Sequence, residues 1–210
     1  MNSATFQLPA FIDLGATFAF GLTGAVAAIK RGYDIVGVFF LALASGIGGG
    51  LIRDGVMINS AGTTPLLTDP RYIEVIVAAT LAGVLCSSRM KHLHRGVAVI
   101  DALGLGAYAA FGTQKSLHAG LAVPAALLVG VINAVGGGLL RDLLTGEAPL
   151  VFKPGQFYVL TALAGAVTFV FLTLQLAVDP TPAALAAIAL TFVFRMLTIV
   201  FNWRTTPVQP

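Results

Sequence analysis

Long runs of apolar residues, parted only by short polar punctuation, constrain this chain more than any other feature. A helix needs about 20 apolar residues to cross the roughly 30 Å hydrocarbon core of a bilayer. Seven candidate spans of that kind fall at residues 9–29, 34–58, 72–88, 97–112, 121–144, 157–178 and 183–203. Between them stand Lys-Arg-Gly, Thr-Thr-Pro, Thr-Asp-Pro, Lys-Pro-Gly and Asp-Pro-Thr-Pro, the residues that end helices and make turns. Composition agrees: 57% of the 210 residues are hydrophobic, only 10% are charged, and the mean hydropathy is +0.92. A water-facing surface needs about 25% charged residues. The predicted fold class is an all-α integral membrane protein, one domain over residues 1–210, with the first span retained as a helix.

The spread of basic residues orients the spans. Lys30, Arg31, Arg89, Lys91, Arg95, Lys153 and Arg204 fall on one side, and Arg71 and Lys115, with Arg53 near them, on the other. This predicts an outer N-terminus and a cytoplasmic C-terminus in the cell (inner) membrane. The net charge of +3 forms no basic face with interleaved aromatics, so no nucleic-acid partner is expected. The single cysteine, Cys86, permits no intrachain disulfide and reads as a small core residue.

An internal repeat organises the chain. Ser45-Gly-Ile-Gly-Gly-Gly-Leu-Ile-Arg-Asp54 returns as Asn133-Ala-Val-Gly-Gly-Gly-Leu-Leu-Arg-Asp142, an offset of 88 residues. The same offset carries Asp13 onto Asp101, Phe20 onto Tyr108 and Gly24 onto Gly112. Residues 13–88 and 101–176 therefore read as one three-span unit, duplicated, with 183–203 as an extra seventh helix. Three is odd, so the second copy enters the membrane from the opposite face. Inverted repeats of this type recur in transport proteins, with the path at the repeat interface.

The repeated motif carries the candidate site. Three successive glycines weaken a helix and allow close backbone approach. Gly48, Gly49, Gly50 and Gly136, Gly137, Gly138 are thus read either as breaks lining a path or as a packing seam. Arg53 with Asp54, and Arg141 with Asp142, follow within apolar stretches, where a charge costs about 3 kcal/mol or more. The opposed runs of spans two and five put Arg53 near one mouth and Arg141 near the other, where each can act as a gate paired to a carboxylate. Asp13 and Asp101 head polar stripes on spans one and four, with Tyr108 on the second. Ser45 and Asn133, just before the glycines, complete the candidate lining. Helix capping is the plainer role for Asp13 and Asp101. Arg195 reads as structural, Glu74 as a helix-start residue, His92 and His94 as loop residues, and Trp203 as an interfacial anchor. No nucleotide loop, metal cluster or nucleophile elbow is present in the sequence, so no enzyme and no cofactor are expected.

Two Gly-Gly-Gly-Leu-[Ile/Leu]-Arg-Asp motifs 88 residues apart, in a seven-span chain of this length, resemble the prokaryotic trimeric intracellular cation (TRIC) channels. The same bacterial family also carries a glycine-transporter description. The resemblance implies a homotrimer with one pore per subunit, kinked second and fifth helices at the glycine triplets, and conduction of monovalent cations, chiefly potassium. It leaves a small-solute transporter, for example of glycine, as the alternative. Animal members carry a phosphoinositide-binding lysine beside the glycines. Ile47 and Val135 stand there instead.

Overall fold

The computed structural model describes residues 8–58, 64–86, 93–154, 157–203 and 205, with backbone alone at 65, 66 and 93–95. These residues form seven long helices, one short one, and no strand among the described residues. They are α1 (Ala10–Lys30), α2 (Ile35–Leu51, continuing as a π-helical turn over Ile52–Met57), the short α3 (Pro65–Thr68) and α4 (Pro70–Cys86). Then come α5 (Leu93–His118), α6 (Val123–Leu144), α7 (Tyr158–Val170, with a π-helical end over Phe171–Gln175) and α8 (Pro180–Val200). Six of the long helices have the length and hydropathy to cross a membrane. At 17 residues α4 spans about 25 Å at 1.5 Å per residue, the low end of the crossing range.

Local chemistry sets the ends. The Asp34 carboxylate accepts a hydrogen bond from the Gly37 amide (2.8 Å) and starts α2. Pro124 opens α6, while Pro180 and Pro182 open α8, where a missing N–H costs nothing. Gly32, Gly120 and Gly146 take positive φ in the turns after α1, α5 and α6.

Helices α1, α2 and α4 pack into one bundle and α5, α6 and α7 into another, with α8 against α5 and α7. The bundles join through α1 on α5 and α2 on α6. The second join is backbone on backbone. A Cβ on Gly49 would collide with the carbonyl oxygen of Asn133, and one on Gly137 with that of Ser45. Those are equivalent contacts under the 88-residue offset. Phe20 and Tyr108, also equivalent, stack on each other at 5.4 Å between centroids and 11° between planes.

Three expectations need correction. The expected break at the glycines is not found: α-helix runs through Gly48, Gly49 and Gly50 and through Gly136, Gly137 and Gly138. Their amides stay paired inside each helix, and the missing side chains serve the crossing instead. The irregularity in α2 begins later, at Ile52. Asp101 does not cap a helix, because α5 starts at Leu93 and carries it well into its interior. Cys86 is exposed, since an apolar residue in a lipid-facing chain gains nothing by facing inward. Expectations on Arg89, Lys91, His92 and Arg204, and on the side chains of His94 and Arg95, fall outside the described residues.

Candidate conduction site

Two cavities open at opposite ends of the α2–α6 crossing and share no lining residue. The first, about 600 Å³, lies at the N-terminal end of α1 and the C-terminal end of α5, with Asp13, Arg53, Asp54, Asp69, Tyr72 and Lys115 in its wall. The second, about 410 Å³, lies at the other end of both helices, with Thr23, Lys30, Asp101, Arg141, Asp142 and Arg195. Each cavity thus receives one Arg-Asp pair and one aspartate from the stripe on α1 or α5.

The charges are buried and paired. Arg53, 1% exposed, donates to both Asp54 carboxylate oxygens (2.6 and 3.0 Å) and to Asn133 Oδ1 (3.3 Å). Its guanidinium also lies 5.4 Å from the Phe111 ring centre. Asp54 accepts further from Lys115 Nζ (2.8 Å) and Thr64 Oγ1 (2.7 Å). Arg141 donates to Asp142 (3.0 Å), Thr23 Oγ1 (3.1 Å) and Asp101 (3.3 Å). Asp142 holds the following loop by accepting from the Leu150 amide (3.1 Å). Such pairing is what buried charge requires, since an uncompensated ion in low dielectric costs several kcal/mol.

Between the cavities the chain is closed. Phe20, Thr17, Ser45, Tyr108 and Asn133 are each fully buried. The Tyr108 hydroxyl donates to the Gly46 carbonyl (2.5 Å) and shares a hydrogen bond with Thr17 (2.8 Å), while Asn133 Nδ2 donates to the Tyr108 carbonyl (2.8 Å). Asp13 accepts from the Tyr72 hydroxyl, which closes α4 over α1.

Outside the spans, two carboxylates are held below their usual range by a hydrogen-bonded arginine. These are Asp69 by Arg71, at the rim of the first cavity, and Glu147 by Arg31, near the second.

Asp13, Arg53 and Asp54 thus line the first cavity, Asp101, Arg141 and Asp142 the second, and Ser45, Tyr108 and Asn133 are buried and line neither. Lys115, Tyr72 and Phe111 also line the first cavity and Thr23 the second, and none of the four was foreseen as lining. Lys115 had a readable signal. It was assigned to a loop after a span ending at Gly112, whereas α5 continues to His118, which turns the lysine into the first cavity. Arg195 packs 4.9 Å over the Tyr158 ring and reaches the second cavity as well. Trp203 gathers Phe157, Phe194 and Phe201 at 6.3 Å each, near the C-terminal end of α8.

A family model described as glycine transporter matches residues 10–88 and again 98–174. A membrane protein of Streptomyces coelicolor is 44% identical over 163 residues, covering 77% of this chain and 73% of its own. Inner membrane protein YadS of Escherichia coli K12 is 26% identical over 190 residues, 90% of each chain. The solved TRIC trimeric intracellular cation channel orthologue from Rhodobacter sphaeroides superposes with TM-score 0.84 at 30% identity, over 91% of this chain and 96% of that one. A further TRIC cation channel structure gives 0.82 at 29% identity, over 95% and 97%. By sequence and by fold, the chain belongs to the TRIC channel family, a family of channels and not of enzymes.

Proposed function

We propose that the protein is a monovalent cation channel, chiefly permeable to potassium, with its pore inside each subunit of a homotrimer. One observation carries this reading. Two charged cavities open at opposite ends of the α2–α6 seam, and buried side chains close the stretch between them, about 15 Å from Asp13 to Thr23 along α1 at 1.5 Å per residue. Residues 13–88 and 101–176 act as the two inverted halves, and the glycine triplets let the halves approach backbone to backbone at the seam. Arg53 and Arg141 serve as gates. Each stands in the path with its own carboxylate, repels a permeant cation in that position, and must be displaced for conduction. A monovalent ion fits because each buried carboxylate already has a cationic or hydrogen-bonding partner. The location is the inner membrane, with the N-terminus outside and the Arg141 cavity towards the cytoplasm.

A second reading, secondary transport of a small solute such as glycine, draws on the description of the family model and on the separation of the two cavities. Flux in liposomes containing the purified protein discriminates the two. The channel reading expects fast passive potassium efflux without saturable uptake of labelled glycine. Saturable glycine uptake with little potassium leak would overturn it.

A further inference from the structure

The two halves match in sequence but not in how firmly they close, and the difference centres on one pair of equivalent residues. Asn133 bridges three elements. From α6 it donates to the Tyr108 carbonyl on α5, accepts from Arg53 beyond the end of α2, and packs against α5 where Gly112 leaves room for its side chain. Its equivalent, Ser45, is too short to do the same. Ser45 Oγ is fully buried and makes no hydrogen bond, and Arg141 turns to Thr23 instead. Two other differences fall on the same side, while the Arg141–Asp101 contact (3.3 Å), which Arg53 does not repeat with Asp13, falls on the opposite one. Tyr108 donates to the Gly46 carbonyl, whereas its equivalent Phe20 has no hydroxyl to offer Ala134. Phe111 lies near the Arg53 guanidinium, and at the equivalent place Thr23 gives Arg141 a single hydrogen bond.

We propose that Asn133 is a positioning residue that pins Arg53 in the path. The Arg53 half is then the principal barrier, and the Arg141 half is the looser one, through which water reaches the crossing at Ser45. The unpartnered Ser45 hydroxyl supports this, because such a group is normally satisfied by protein or by ordered water; Thr113 Oγ1, towards the Arg53 end of α5, is likewise unpartnered. The proposal rests on the channel reading above for its effect on current, but not for its effect on access.

Single-channel recording tests the pin. Asn133→Ser removes both of its bonds, and open probability rises about fivefold, the equivalent of one net hydrogen bond. Asn133→Asp gives up the donor to the Tyr108 carbonyl but replaces the neutral acceptor facing Arg53 by a charged one, and because the Arg53 contact is the pin, open probability falls. Opposite signs from two small substitutions at one site are not what a purely structural role would give. Equal or same-sign effects in folded trimers overturn the proposal. Access is tested independently of current. In a Cys86→Ser background, Ser45→Cys reacts with a membrane-impermeant thiol reagent from the Arg141 side and not from the Arg53 side. Reaction from the Arg53 side, or from neither, overturns it. A wild-type protein that passes no current while Ser45→Cys still labels from the Arg141 side would sink the channel reading and leave the asymmetry standing.

Discussion

At the residue scale, the proposed gates are Arg53 and Arg141. Arg53 and Arg141 are almost wholly buried, yet both border a cavity large enough for water. Removing either charge takes a repelling group out of the path. Arg53→Gln and Arg141→Gln are expected to raise conductance or open probability in planar bilayers, and a loss in both folded variants would refute the gate assignment. Asp54 keeps Lys115 and Thr64 after Arg53→Gln, whereas Asp142 and Asp101 both lose Arg141 after Arg141→Gln. The second variant is therefore the less stable in thermal unfolding, as expected when two buried carboxylates lose their shared cation and Asp142 keeps the Leu150 amide. The surface pair Arg31–Glu147 (2.9 Å) behaves differently, because both side chains are about half exposed. Glu147, held low by Arg31, contributes only while it is ionised in both states, and that contribution fades as pH falls through its lowered range. Glu147→Gln should change unfolding at neutral pH by less than about 1 kcal/mol.

At the element scale, the glycine seam is the structural commitment of the fold. Alanine at Gly49 or Gly137 would drive a methyl group into a carbonyl oxygen of the facing helix. Either substitution is expected to cost about 1–3 kcal/mol by overpacking. Gly55→Ala, with open space around it, serves as the control in the same thermal series. Much of this was legible in the sequence, because apolar run length gives the spans and the doubling of a ten-residue motif, identical at six positions, gives the crossing. Helix ends were less legible. A window of apolar residues stops at Gly112, but α5 needs only continued backbone pairing to carry Thr113, Gln114 and Lys115 onwards, and their polarity is tolerated where the helix borders a cavity. The partners of Arg53 and Arg141 could not be read at all. They are set by which faces of α1, α5 and α6 meet, a matter of packing that no local pattern records.

At the scale of the whole molecule, the proposed topology of seven crossings, α4 among them, puts the two termini on opposite sides of the membrane. Reporter fusions at the two termini should therefore be active on different sides, with the C-terminal one active in the cytoplasm. The crossing itself has a consequence for how such a chain could arise and be taken apart. Gly49 meets Asn133 as Gly137 meets Ser45, and Phe20 lies on Tyr108 as Tyr108 lies on Phe20. A surface that docks on its own counterpart needs no covalent link to find it. A half-length ancestor inserting in both directions would already possess the whole seam. The present linker between the halves then supplies proximity rather than specificity, so the two halves made as separate chains should recombine in one membrane.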